Sequence, residues 1–428
     1  MKSKQRWLSR NFALLLLGQV SSLIGNFTLK FALSMYVLDQ TGSAALFATL
    51  LAVSMVPTVL LSPFGGILAD RVNRRDLMVA LDFLSGVTVL AAGLLLPLGH
   101  SIGVNAVLLV TLSVLAAFES PTVQACIPQM LPTEHLVKGN AAVSQIQAIT
   151  SLFTPFLGSA AYAAFGLRPV LWGTVACFFV TAALECLIRL EYRRPAGAQS
   201  VRQVIREDLA VSVRFLRRDR PEILRLLLLA ALVSLFVAGT AVVGFPYLVR
   251  TVLGLPVGYY GVAESAMGVA AILGSLFVAL AAAKLGLRRL AVVIVGFGLC
   301  LLPAGFAFLF PVGTFGRYAV LLGMFCICQF LCSVFSTWSI TVIQARTPEH
   351  LMGKVMSFVF TLSMCAQPVG QIVYGALFDR FSHGPQWVLL PSGILVLLIG
   401  LATVPFFRTL EKSVPAQAPT ENSRPEGG

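Results

Sequence analysis

Four ionisable side chains stand inside otherwise apolar stretches of this sequence: Lys30, Asp82, Glu119 and Glu264. A carboxyl group removed from water favours its neutral form, whereas a nearby cation favours the ionised form. A carboxyl group held between these influences can take up and release a proton when its surroundings change. We predict that Glu119 does so, with Lys30 and Glu264 as further candidates. Two alternatives stay open, a permanent Glu119–Lys30 pair and a solvated Glu264.

Lys30 also ends a polar stripe that begins at Gln19 and continues through Ser22 and Asn26. These spacings of three, four and four residues place all four side chains on one face of a helix. In a helix surrounded by lipid, such a face must contact protein or water. The stripe therefore either lines a cavity or bonds to neighbouring helices, with Lys30 reaching out to the membrane surface.

A second apolar stretch contributes Gln329, Ser333 and Trp338, which we add to Glu119 and the stripe as candidate cavity residues. The chain holds 30 phenylalanines. Apolar and aromatic walls with few polar groups suit an amphiphilic small molecule. We predict a cavity for such a ligand.

The composition indicates the elements that position these residues. The chain is 57% hydrophobic and only 11% charged, whereas soluble proteins carry roughly 25% charged residues. A membrane-spanning helix needs about 20 mostly apolar residues. We predict an all-α membrane protein with twelve transmembrane helices, at residues 12–38, 45–69, 77–97, 103–126, 141–165, 168–190, 223–249, 258–283, 289–311, 317–343, 354–378 and 386–407.

The distribution of lysine and arginine predicts how these helices are oriented. If the first residue is cytoplasmic, 26 of the 31 cations fall on the cytoplasmic side and four on the other, while Lys30 lies within a helix. Cytoplasmic loops carry such an excess. The sequence therefore predicts a protein of the inner or plasma membrane with both termini in the cytoplasm.

The two halves of the chain resemble each other. Glu134-His135-Leu136 returns 215 residues later as Glu349-His350-Leu351, which predicts two pseudo-symmetric six-helix bundles. The linker carries a basic amphipathic stretch, either a helix on the membrane surface or a solvated one. The predicted segments are a cytoplasmic N-terminus (1–11), a first bundle (12–190), a linker (191–222), a second bundle (223–407) and a disordered cytoplasmic tail (408–428).

The loop after the second helix reads GGILADRVNRRDL. It resembles the signature G-x-L-a-D-R-x-G-R-R of the major facilitator superfamily, with Asn73 in place of one glycine. The matching residues are Gly66, Asp70, Arg71, Arg74 and Arg75. The resemblance implies that this cluster latches the cytoplasmic face when the protein opens outward, and we expect Asp82 to pair with its arginines. The alternative is an ordinary cationic anchor.

Three stretches, DQTGSA, AFESPTVQACIPQMLPTEHL and TPEHLMGKVMS, resemble the macrolide-efflux and enterobactin-exporter-like branch of that superfamily. Residues 154–159 match its exporter motif G-P-x-x-G-G only in part, since Thr154 and Ser159 replace glycines. The resemblance implies a monomeric antiporter that exports drug-like, macrolide-like or siderophore-like molecules in exchange for protons. The alternatives are another cargo, such as a lysophospholipid or a metabolite, and a membrane sensor or scaffold that transports nothing.

Other classes find little support in the sequence. Its eight cysteines form no C-x-x-C pair and only four histidines are present, so we predict no metal site and no disulfide framework. No catalytic arrangement or phosphate-binding loop occurs, which predicts neither an enzyme nor a cofactor. The net charge of +13 reflects membrane orientation, and the expected partners are a small molecule, protons and lipid, not nucleic acid.

Overall fold

A computed structural model describes residues 9–96, 101–132, 135–190, 214–281, 286 and 288–412. Within these ranges the regular structure is helical, with no β-strand. The helices are α1 (Arg10–Thr41), α2 (Ala44–Arg71), α3 (Arg74–Leu95), α4 (Ser101–Met130), α5 (Leu136–Phe165), α6 (Leu167–Cys186), α7 (Pro221–Val252), α8 (Val257–Ala281), α9 (Arg289–Phe306), α10 (Thr314–Arg346), α11 (Glu349–Arg380), α12 (Gln386–Ala402) and α13 (Val404–Lys412).

Eleven of these helices are long and apolar enough to cross a membrane. The remaining long helix, α11, has 32 residues, but Gln367 and Gln371 lower the hydropathy of its central part. It packs against α2 and α7, so its polar residues face protein. The predicted all-α membrane fold is confirmed.

Short connections and local caps fix where the helices end. Gly42 ends α1 in the left-handed conformation, with φ of 62°, which favours glycine. The Ser43 hydroxyl then accepts the Leu46 N–H and caps α2. Because twelve long helices alternate in direction, both described ends lie on one face. We call this the terminal face and the opposite side the distal face.

Helix packing divides the long helices into two groups. In the first, α1 packs on α5 and α6, α3 on α4 and α6, and α2 on α4. In the second, α9 packs on α10 and α12, α8 on α10, and α7 on α11. The groups meet mainly through α2 with α11 and α5 with α8. Small residues bring these helices close: a Cβ atom on Gly261 would overlap Ser159, and one on Gly375 would lie 2.5 Å from the Ala48 Cβ.

Helix α7 departs from regular α-helical geometry in its distal half. Residues Ala238–Gly244 and Leu248–Val252 form π-helical turns. Two glycines there face α11, since a Cβ on Gly239 would overlap Tyr374 and one on Gly244 would lie 2.5 Å from Phe378. The sequence predicted an ordinary helix, because hydropathy does not distinguish π from α turns.

The predicted disordered tail at 408–428 starts too early. Helix α13 continues to Lys412, and its Phe407 and Leu410 are buried. Arg346 donates a 3.0 Å hydrogen bond to the Leu410 carbonyl. The predicted amphipathic linker helix lies largely outside the described residues, as do residues 1–8 and 413–428, and the described part of the linker forms a π-helical turn at Phe215–Asp219.

Candidate functional site

An ion pair joins the two helix groups at the distal face. The Arg250 guanidinium at the end of α7 lies 2.5 Å from the Asp39 carboxylate near the end of α1. Arg250 also donates to the Leu255 carbonyl at 2.6 Å, and the Tyr162 hydroxyl donates to Asp39 at 3.2 Å. The pair is therefore held on both sides by neighbouring helices.

A second distal contact is a helix cap that one group supplies to the other. Asp379 of α11 accepts hydrogen bonds from the Ser43 hydroxyl at 2.5 Å and from the N–H groups of Ala44 and Ala45 at 2.6 and 3.1 Å. A carboxylate at a helix N-terminus is favoured by these unpaired N–H groups and by the helix dipole. Asp379 thereby fastens α11 to the start of α2.

No comparable bond closes the terminal face among the described residues. The hydrogen bonds and ring contacts that join the groups there run from the distal end to mid-membrane, where Gln371 approaches the Met55 sulfur at 3.7 Å and Phe31 stacks on Tyr260. The structure is closed at the distal face, and its cavities open towards the terminal face.

The polar stripe of α1 lines a cavity of about 390 Å³ together with α4 and α5. Gln19, Ser22, Asn26 and Glu119 all contribute to its wall. The Gln19 amide nitrogen and the Asn26 amide oxygen have no hydrogen-bond partner. These free polar atoms are available to a ligand or to water.

Lys30 points into a second cavity, of about 260 Å³, which lies between the two groups. Glu264 of α8 lines the same cavity, with Tyr260 beside it. Glu119 is the nearest charged group to Lys30 across the first cavity, although the two form no ion pair among the described residues. The structure thus brings the three proton-binding candidates to adjoining cavities and places Lys30 between the two acids.

A third cavity, of about 510 Å³, is lined by α7, α8, α10 and α11 and includes Gln329 and Ser333. The Ser333 hydroxyl donates to the Ala271 carbonyl at 2.6 Å, which leaves less of it free for a ligand. Trp338 does not line this wall. It is 8% exposed and packs in the core of the second group, so its placement in the cavity is wrong. Its position along α10 turns the indole away from the opening.

Asp82 is fully buried and forms no ion pair with the motif arginines among the described residues. It lies two turns into α3, and the Ser22 hydroxyl donates to it at 3.1 Å. The expected Asp82–arginine pair is therefore wrong. The same hydroxyl lies 3.4 Å from Glu119, so Ser22 links a buried acid to one that lines the first cavity.

Glu185 of α6 is a further buried acid, at 1% exposure. From the i, i+4 spacing we would expect it to pair with Arg189. Neither of its oxygens has a hydrogen-bond partner, and the Arg189 backbone instead bonds to the side chain of Asn11. The Glu185 carboxyl lies beside that of Asp82. The only signal in the sequence is an acid near the end of an apolar stretch.

The arginines of the loop motif bind within the first group. Arg74 donates to the carbonyls of Ala69 and Ala125 at 3.1 and 2.6 Å, and Arg75 donates to the Cys186 carbonyl at 2.5 Å. Arg71 is exposed. The side chains of Gly66 and Asp70 lie outside the described residues, so their latch role stays a prediction.

The distal contacts were not predicted as site residues. Arg250 entered the sequence analysis only as an outer-side cation, and Asp39 and Asp379 did not enter it. Each lies at a helix end, where a charged residue is unremarkable. Their pairing joins positions 211 and 335 residues apart, which one sequence alone does not reveal.

Comparison with curated proteins identifies similar chains. Macrolide efflux protein A of Streptococcus pyogenes is 23% identical over 396 residues, which cover 90% of this chain and 93% of that protein. The multidrug efflux pump Tap of Mycolicibacterium fortuitum is 23% identical over 399 residues, covering 91% and 94%. The similarity extends over nearly the full length of both.

Solved structures share the fold. A bacterial homologue of the iron transporter ferroportin, in its inward-facing state, superposes with a TM-score of 0.72 at 19% identity, covering 93% of this chain and all of that one. The profile of the Major Facilitator Superfamily matches residues 15–370. The chain therefore belongs to the major facilitator superfamily and is a multi-pass membrane transporter of small molecules.

Proposed function

We propose that this transporter exports amphiphilic small molecules in exchange for protons, by alternating access between the two faces. The observation that carries the proposal is the cavity system that opens towards the terminal face, with Lys30, Glu119 and Glu264 around it and the distal face closed. The efflux names of the two relatives support the outward direction.

The walls of the cavities suit a molecule with an apolar body and a few polar groups. In the cavity between the groups, Phe27, Phe31, Phe47 and Leu51 accompany Lys30 and Glu264. Such a surface binds by apolar contact and orients its ligand through a small number of charges. We propose drug-like or macrolide-like compounds as the substrates.

Glu119 is the proposed site of proton exchange with the cavity. It is partly exposed there, whereas Asp82 behind it is fully buried. Intramembrane acids of this kind commonly mark proton pathways. One proton entering across 100 mV supplies about 2.3 kcal/mol, and one pH unit about 1.4 kcal/mol. Together these could sustain a roughly 500-fold substrate gradient.

The proposed orientation places the terminal face in the cytoplasm. The excess of Lys and Arg in the segments of this face supports it. The described state would then face inward, ready to load substrate from the cytoplasm or the inner leaflet. In the outward-facing state, the motif around Asp70 and Arg74 would latch the cytoplasmic side. We propose that a monomer suffices, because each chain carries its own cavities.

A susceptibility screen tests the proposal. An efflux-deficient host expressing the wild-type chain is compared with the same host expressing Glu119→Gln, across macrolides, dyes and other amphiphilic compounds, with expression checked in the membrane fraction. We expect the wild type to raise the tolerated concentration of some compounds and Glu119→Gln to lose most of that gain. Identical susceptibility of the wild-type and empty-vector hosts to every compound would reject drug export.

A further inference from the structure

Asp82 of α3 and Glu185 of α6 form a buried pair of carboxyl groups in the first helix group. Their exposed fractions are 0% and 1%. Oδ2 of Asp82 and both oxygens of Glu185 lack any hydrogen-bond donor, although the two carboxyl groups lie within hydrogen-bonding reach of each other. Ser22 donates only to Oδ1 of Asp82 among these atoms.

Two ionised carboxylates in contact repel each other strongly when no water separates them. A carboxylate can only accept hydrogen bonds, and a protonated carboxyl can donate one. The contact between Asp82 and Glu185 is therefore a hydrogen bond only if one of them carries a proton. We infer that a proton bridges Asp82 and Glu185, and that this buried pair stores a proton that reaches it from the cavity through Ser22.

The charged surroundings fit one retained proton. Among the described residues, no lysine or arginine forms an ion pair with either acid. Arg74 and the Cys126 thiol lie towards the terminal face. On the cavity side, Ser22 contacts Glu119, beyond which lies Lys30. The nearest ionisable partner of the pair on that side is thus another acid, which makes a second negative charge still less favourable.

Packing shows that the Glu185 side chain is held in place. A Cβ on Gly18 of α1 would lie 3.8 Å from the Glu185 Cγ, and the Thr181 hydroxyl contacts the Gly18 carbonyl at 3.2 Å. The glycine therefore lets α6 approach α1 closely enough to bring Glu185 beside Asp82. The described residues contain no group of three or more His, Cys, Asp or Glu side chains that could hold a metal ion, which favours a proton as the occupant.

The pair has no direct opening to the first cavity, since neither acid lines its wall. Glu119 and Ser22 do line it. A proton taken up by Glu119 from cavity water can pass to Ser22 while the serine passes its own proton to Asp82, so the hydroxyl is restored and no charge is left on it. The use of this stored proton in transport rests on the proposed function, but its presence does not.

Infrared spectroscopy of the purified protein in lipid bilayers tests the inference without substrate or gradient. At neutral pH the wild type should show a carbonyl stretching band of a protonated carboxyl group that shifts in heavy water. Glu185→Gln and Asp82→Asn should each remove an intensity equal to one carboxyl group. The exposed control Glu222→Gln should leave the band unchanged, because its carboxylate pairs with Arg220 in solvent.

A wild-type protein with no such band overturns the inference whatever the variants do. It is equally overturned if the band keeps its intensity in both folded variants, or if it appears only when Na⁺ is withheld, which would mean that a cation occupies the pair. Should Glu185→Gln fail to fold, Glu185→Asp, which keeps the acid, should shift the band without abolishing it. A chain that shows the band but confers no resistance separates this inference from the proposed function.

Discussion

The carboxylate of Asp379, at the end of α11, accepts a 2.6 Å hydrogen bond from the N–H of Ala44, the first residue of α2. An acid in one helix group thus caps a helix of the other. An outward-facing state would have to separate these groups at the distal face, so the cap belongs to the described state alone. This makes its removal a direct probe of the conformational equilibrium.

Asp379→Ala should therefore favour the open distal face. Loss of an N-cap costs roughly 1–2 kcal/mol, which changes the ratio of the two states by about 5- to 30-fold. Spin labels at Phe165 and Phe310, two exposed residues of the distal face, report the separation of the groups by double electron–electron resonance. The exposed Cys186 and Cys365 would be replaced by serine so that only the reporters are labelled.

The adjacent exposed residue provides the control for this measurement. Arg380→Ala should leave the distance distribution of the wild type unchanged, since its side chain has no assigned contact in the described structure. A distribution that is the same in Asp379→Ala as in the wild type would show that the cap does not hold the distal face closed.

The ion pair between Asp39 and Arg250 should contribute less than the cap. Their side chains are 24% and 19% exposed, and partly exposed pairs are typically worth about 0.2–1 kcal/mol. In a double-mutant cycle with Asp39→Asn and Arg250→Gln, read out with the same spin labels, we expect a coupling of that size. Strictly additive effects of the two substitutions would mean that the pair does not act as a unit.

Gly261 should tolerate no side chain at the crossing of α8 with α5. A Cβ there would overlap Ser159 and lie 2.8 Å from the Pro155 carbonyl. Gly261→Ala should force the helices apart and increase the distal separation. Gly258, one turn earlier in α8, has open space around it, so Gly258→Ala carries the same change in helix propensity without the clash. If the two variants behaved alike, the close approach at Gly261 would have no energetic role.

Trp338 and Gln329 should separate stability from substrate binding. Trp338 is buried in the core, and its truncation to alanine should cost about 3–5 kcal/mol through the cavity it leaves. Thermal unfolding of the purified protein should detect this loss. Gln329 lines the third cavity, so Gln329→Ala should change stability by no more than about 0.5 kcal/mol and alter the range of compounds tolerated. A stable Trp338→Ala protein would contradict its placement in the core.

Much of the architecture could be predicted because lipid imposes a simple rule. A chain without water must satisfy its backbone internally, so long apolar runs become helices. The same rule placed the α1 stripe on one face, and the structure finds Gln19, Ser22 and Asn26 in one cavity wall. Lys30, a further turn along, enters the adjoining cavity between the groups.

Side-chain pairings across the molecule were beyond the same reasoning. Spacing within a helix suggested that Glu185 contacts Arg189 and that Trp338 faces the cavity, but the rotation of each helix in the bundle decides both. Glu185 turns towards α3 and Trp338 into the core. Rotation depends on packing partners such as Gly18, which lie far away in sequence. The π turns of α7 depend in the same way on the rings of α11.

The measurement that tests the central claim most directly is substrate accumulation in inverted membrane vesicles, where the cytoplasmic face is outside. With a compound identified by the susceptibility screen and an imposed acidic interior, wild-type vesicles should accumulate it, the accumulation should collapse with a protonophore, and Glu119→Gln vesicles should not exceed empty ones. Accumulation that persists without a proton gradient, or that occurs only in right-side-out vesicles, would contradict proton-coupled export.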